Sequence, residues 1–221
     1  MPETPTQART TSLAERAVLA LRELVHDGVL LPGQPIRQAA VAEQLGISRV
    51  PVREALKNLE SEGLVEPSPT GGFVVARLSA DELSQIYLMR RLLETELLRR
   101  VSSVPEAELA ALTELNGRMA ELIDNPSREL RQLNQEFHFR MFRLSGLPHV
   151  VAETARLWEK TSPYRLVYST ERAARVRIVA DHDKLIDALR RGDVERLIQF
   201  MDDHRGTGEQ DVVSVLSHPH R

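Results

Sequence analysis

The chain has 221 residues, 42% of them hydrophobic, enough for one large globular domain or two modest ones. It contains no cysteine, which excludes disulfides and thiolate metal sites and leaves histidine, carboxylate or amide ligands for any metal. A net charge of −3 and an aromatic content of 4% argue against a polybasic nucleic-acid binder and against single-strand binding by base stacking, so any DNA recognition must come from locally arranged charge. The opening MPETPTQARTTS lacks the apolar run of a signal peptide, and no stretch of about 18 apolar residues occurs anywhere. The expectation is a cytoplasmic protein that does not enter a membrane.

Residues 1–11 are rich in Thr, Pro and Gln and read as a flexible arm. From Ser12 to about Asp27, Leu13, Ala17, Ala20, Leu21, Leu24 and Val25 recur at helical spacing, and Gly28 ends the pattern. LLPGQPI (30–36) reads as a loop, followed by a short helix over about Arg37–Leu45 that Gly46 stops. Ser48 is placed to cap a third helix, with Pro51 in its first turn, running to about Glu62. LVEP (64–67) and FVVA (73–76) then flank the turn residues 68–72 as a hairpin. Helix, helix, turn, helix and hairpin within residues 12–76 is the order of a winged helix-turn-helix.

Beyond residue 78 the pattern is helical throughout, so the fold class is mostly α: a winged helix-turn-helix followed by an all-α helical bundle over 79–210 that binds a ligand, with a tail at 211–221. Ser79 with Glu82 and Ser103 with Glu106 have the spacing of capping boxes and predict helix starts there. Pro126 suits the first turn of another helix, which Gly146 closes. One more is predicted after Pro148, kinked or broken near Pro163, which leaves six and seven helices both open. The last two are predicted at about Glu171–Arg191 and from Val194 to His204 or beyond, with Asp193 capping the second.

Within the predicted third helix, Val52, Ala55, Leu56 and Leu59 form an apolar stripe, and Arg49, Arg53 and Lys57 recur every four residues on another side. An Arg fork matches the paired acceptors of guanine in the major groove, making Arg49 and Arg53 base-reading candidates; Lys57 and Ser48 suit phosphates. Spacing of this kind alone reads more readily as a solvated helix face, but its position after a tight turn and before a hairpin tipped by Gly71 and Gly72 favours the DNA-reading role. The run from Pro32 to Val75, and SRVPVREAL (48–56) most of all, resembles the DNA-binding domain of the GntR family. The resemblance implies operator contacts by Ser48, Arg49, Val50 and Arg53 and by the wing around Gly71 and Gly72. Ala39 departs from the charged residue often found there, and the wing tip has no arginine.

Asn134 and His138, four residues apart, project from one helix face and can converge on one ion, and His182 and His204 lie on two later predicted helices. By spacing alone, a histidine on a helix reads more readily as a core or surface residue. Ser79 to about Gly206 resembles, in addition, the FCD ligand-binding domain of the FadR subgroup, in which an Asp or Asn, a His four residues on and two later histidines hold a metal. That resemblance assigns Asn134, His138, His182 and His204 as ligands of a divalent transition metal, zinc first, with nickel, manganese, iron or copper compatible. It further implies a small carboxylic acid effector docking at or near the metal, assisted by Arg90 (in YLMRRLLE) and Arg165 (in SPYRLVY), for which ordinary surface or interhelical pairing, with Glu94 for instance, is the competing reading. The expected assembly is a homodimer on double-stranded operator DNA, acting as a repressor, with no catalytic residues. A metal-dependent enzyme fused to a DNA-binding module and an architectural protein are the competing classes; nothing marks a general base or nucleophile beyond the sequence proximity of Glu136 and Asp181.

Overall fold

The structure, a computed structural model, describes residues 12–101, 103–125 and 127–217. The arm of residues 1–11, Pro126 and the histidines at 218 and 220 lie outside the described residues. The chain divides into two units, up to Arg77 and from Leu78.

In the first unit, α1 (Leu13–His26) opens on a capping box: the Ser12 side chain accepts from the Glu15 backbone while the Glu15 side chain accepts from the Ser12 N–H. α2 (Gln38–Leu45) stops at Gly46, whose left-handed φ of 64° turns the chain sharply into α3 (Arg49–Ser61). The strands β1 (Val65–Pro67) and β2 (Phe73–Val75) pair antiparallel, Val65 opposite Val75 and Pro67 opposite Phe73. The predicted loop after α1 does more than connect: Gly33 and Ile36 donate backbone bonds to Val75 and Phe73, so this segment borders β2. One core, with Leu21, Val25, Val52, Leu56, Leu59, Leu64 and Val75 among its members, joins all these elements. At about 1.5 to 3 kcal/mol for each large apolar side chain, that burial fixes the orientation of α3.

The second unit consists, among its described residues, of six helices: α4 (Ala80–Arg99), α5 (Glu106–Glu121), α6 (Arg128–Arg143), α7 (Pro148–Thr170), α8 (Arg172–Arg191) and α9 (Val194–Ser217). α4 packs on α7 and α9, α5 on α6 and α8, and α8 on α9. Leu97, Leu112, Phe137, Phe142, Trp158, Leu185 and Met201 belong to the main core. The Ser79–Glu82 capping box forms, and Asp193 accepts from the Arg196 N–H at the start of α9.

Two expectations need correction, and one choice between alternatives is settled. Ser103 does not cap α5: the helix begins after Pro105, because a residue before proline is pushed out of the helical region and Val104 cannot open a helix. Of the two alternatives at Pro163, the chain takes the single helix: α7 runs through it. Thr161 donating to Leu157 and Trp158, and Arg165 donating to Trp158 at 2.7 Å, add side-chain bonds to the turn that precedes it. Residues 211–217 are not tail but the continuation of α9, where Val212 is fully buried against Leu83, Tyr87 and Tyr164.

Candidate nucleic-acid interface and metal centre

The amphipathic sequence of α3 sorts its residues by side. Pro51, Val52, Ala55, Leu56 and Leu59 are buried, while Ser48, Arg49, Val50, Arg53 and Lys57 are all exposed. Ser48 takes the N-cap position but its hydroxyl makes no capping bond, which leaves the start of α3 able to receive an anion. Val50 is 65% exposed, an apolar side chain beside two arginines, as a thymine methyl contact would require. On the wing, Gly71 and Gly72 are exposed with φ of 94° and 82°, in open space. They are therefore glycines for backbone conformation and close approach, not for packing.

In the second unit the arrangement is internal. On α6, Asn134 and His138 sit one turn apart; His182 takes a place in the apolar stripe of α8 with Ile178, Leu185 and Leu189. His204 comes from α9. The ligand atoms of His138, His182 and His204 lie within 4.8 Å of one another. Nε2 of His138 and Nε2 of His182 are 3.3 Å apart, close to the edge of a tetrahedron with metal–nitrogen bonds of about 2.0 to 2.1 Å. Phe137 stacks on the His182 ring at 3.9 Å and Trp158 lies 5.1 Å from that of His138, which fixes both rings.

Two further features test the fit to a cation. Burial, followed by neighbouring charges, holds His138 and His182 well below the usual imidazole pKa, so both are neutral, the form that binds metal. Oδ1 of Asn134 is buried with no hydrogen-bond partner, a group that costs about 1 to 3 kcal/mol unless something satisfies it. His204 turns Nδ1 toward Asp181 at 3.4 Å, the orientation in which a carboxylate fixes a ligating imidazole. Although burial raises the Asp181 pKa, its bonds to His204 and Lys184 bring it down to about 2. The donor set therefore fits a borderline divalent ion, which when bound would supply a Lewis-acidic anchor for an anion.

Asn134, His138 and His204 line a cavity of about 40 Å³, room for two or three waters or a small anion. Arg90, Arg165, Arg177 and Arg205 share its wall. Arg90 donates through Nε to the fully buried Glu94 at 2.8 Å, a pairing with the expected partner but one turn along the same helix and not between helices. Glu94 also accepts from Trp158 and Arg205, and although burial raises its pKa, the charges of Arg90 and Arg205 bring it below the usual carboxylate value. The guanidinium groups of Arg90 and Arg165 each lie 4.4 Å from the Trp158 ring centre. Sequence reasoning missed Arg177, Arg205 and Trp158, and singled out Asp181 only for its nearness in sequence, not as the partner of His204. Arg205 had left a signal, as a charge at the spacing of the buried residues Leu197 and Met201 on α9.

Residues 13–75 match the gntR family of bacterial regulatory proteins, and residues 85–207, more than half of the chain, match the FCD domain. The chain is 32% identical over 135 residues to the HTH-type transcriptional regulator YdhC of Bacillus subtilis, a stretch spanning 59% of each protein. Over 93 residues it is 32% identical to the gluconate operon transcriptional repressor of the same species, covering 42% of this chain and 38% of that one. The fold matches that of Escherichia coli McbR with a TM-score of 0.76 at 23% identity, over 96% of this chain and 100% of that one. No helix among the described residues is long and apolar enough to cross a membrane. With an exposed recognition helix and wing in one unit and an FCD fold in the other, the chain belongs to the GntR family, as a DNA-binding transcription regulator and not an enzyme.

Proposed function

We propose that the protein is a homodimeric cytoplasmic repressor whose hold on a double-stranded operator is modulated by a small carboxylic acid bound at a divalent transition metal, zinc foremost. The observation that carries this reading is the gathering of His138, His182 and His204 beside an arginine-lined cavity that His138, His204 and Asn134, with its partnerless oxygen, help to line. Asn134, His138, His182 and His204 would hold the ion; Arg90 and Arg165 would add charge-assisted bonds to the acid.

On DNA, Arg49 and Arg53 read guanine edges, Val50 meets a thymine methyl, and Ser48, Lys57 and the backbone at Gly71 and Gly72 meet phosphates. Dimerisation supplies the second recognition helix for a partly palindromic site, with half-sites about 34 Å apart. The acid acts by preferring one placement of the DNA-binding units over another, and linkage requires DNA to alter acid affinity in turn. That relatives such as the gluconate operon regulator are named repressors supports the repressing sign.

The test is a salt-controlled anisotropy titration against the DNA flanking the protein's own gene, with zinc and a panel of small carboxylic acids. Specific binding that Arg49→Ala and Arg53→Ala both weaken, and that an acid shifts, is the expected result. Absence of sequence-specific binding, extending to a selected random-DNA pool, would overturn it.

A further inference from the structure

Leu78 opens the second unit, and its backbone N–H donates to the Tyr164 hydroxyl on α7 at 2.7 Å. The next amide, that of Ser79, is held within the capping box of α4 by Glu82. On the other side, Ala76 donates its N–H to the Leu64 carbonyl of the first unit. Arg77, exposed, is the one residue between these anchored amides of Ala76 and Leu78. The anchor on the second unit's side is thus a side chain from a distant helix. Tyr164 is buried, packed with Leu83 and Tyr87 of α4 and Val212 of α9, and Leu78 lies against the same cluster. Tyr87 lines the metal cavity with His138 and His204, and so does Arg165, the residue after Tyr164. Tyrosine meets both demands of the position, an apolar ring for the cluster and an oxygen that accepts from the amide.

We propose that Tyr164 is the positioning residue that carries occupancy of the metal cavity to the link between the units. The proposal rests on the metal reading of that cavity and deepens it. An ion held by side chains of α6, α8 and α9 steadies the wall to which Tyr87 and Arg165 belong. A close-packed cluster does not absorb a shift of α7 against α4, so the Tyr164 ring follows that wall. Its hydroxyl in turn fixes the amide at which the chain enters α4. With the cavity empty, the Leu78 amide opens more often and frees Arg77 with it, a local opening within an otherwise folded chain.

The experiment follows hydrogen exchange at the Leu78 amide and trypsin cleavage after Arg77 in the full-length protein, with and without saturating zinc, while calorimetry measures zinc binding itself. Tyr164→Phe keeps the ring and removes the acceptor, and in the zinc-bound protein it should speed both processes about twofold to tenfold. Zinc should slow both about fivefold or more in wild type, and by less than about twofold in Tyr164→Phe. Val212→Ala loosens the same cluster but leaves the bond, so it should lower the stability of the helical unit and retain the zinc effect. Loss of that effect in Val212→Ala, with zinc still bound, would assign it to packing and overturn the role of the hydroxyl. With zinc bound, equal rates at Leu78 in wild type and Tyr164→Phe, an equal zinc effect in both, or none in wild type would overturn the proposal and leave the metal site intact. No zinc binding by wild type would overturn the metal reading and the proposal together.

Discussion

The two units carry their working side chains in opposite ways. In the first, Ser48, Arg49, Val50, Arg53 and Lys57 stand in solvent on a helix whose other side is fully packed, so the functional groups contribute little to holding the fold. In the second, His138, His182, Arg90, Glu94 and Arg205 are buried among helices, and the groups that would bind are also groups the bundle must accommodate. A surface that reads DNA can be altered without unfolding it, whereas an internal sensor ties ligand, protonation and stability together.

The largest test of that contrast is Glu94→Leu. Glu94 is the buried acceptor shared by Arg90, Arg205 and Trp158; without it the helical unit should lose about 3 to 5 kcal/mol, read by urea unfolding. Next comes the metal: zinc at a hundredfold over its Kd should stabilise the helical unit by about 2.7 kcal/mol, reversed by a chelator and absent in His138→Ala. Comparable in size, but confined to binding, Arg49→Ala and Arg53→Ala should each cost about 1 to 3 kcal/mol of operator affinity. Each should move unfolding by no more than about 0.5 kcal/mol. Lys57→Ala should be milder, weakening binding alike across DNA sequences and lowering the salt slope by about one.

Acid should separate the units as well. Because burial holds His138 and His182 below their usual 6.5, the folded state binds fewer protons than the unfolded chain. The metal-free helical unit is then at full stability above that value and loses stability as the pH falls through it. Asp181, whose pKa is lowered from 3.8 to about 2, adds a smaller loss below 3.8. Zinc-loaded protein should resist the first loss until protons compete for the imidazoles, a difference that thermal melts at stepped pH will show.

What the sequence made legible follows the same division. Helix starts with a local chemical cause, Ser12 with Glu15 and Ser79 with Glu82, were readable, and so was the packed-against-exposed pattern of α3. Ser103 misled because Pro105 overrides a capping pattern, and Pro163 left one helix or two open because a proline within a helix can be accommodated by its packing, which local sequence does not encode. The histidines were found by spacing joined to family resemblance. Of the arginine wall only Arg90 and Arg165 were named, through the same resemblance; Arg177 and Arg205 were not, since the four come from four helices and only tertiary packing turns them onto one cavity. Nor did any local pattern tell that Asp181 would orient His204.

The most direct test of the central claim, that the buried site of the helical unit governs the exposed face of α3, is operator titration of wild type and His138→Ala with zinc and an acid found to act on wild type. The account predicts that the acid shifts the operator Kd of wild type about fivefold or more and leaves that of a folded, DNA-binding His138→Ala unchanged. An equal shift in both proteins would contradict it.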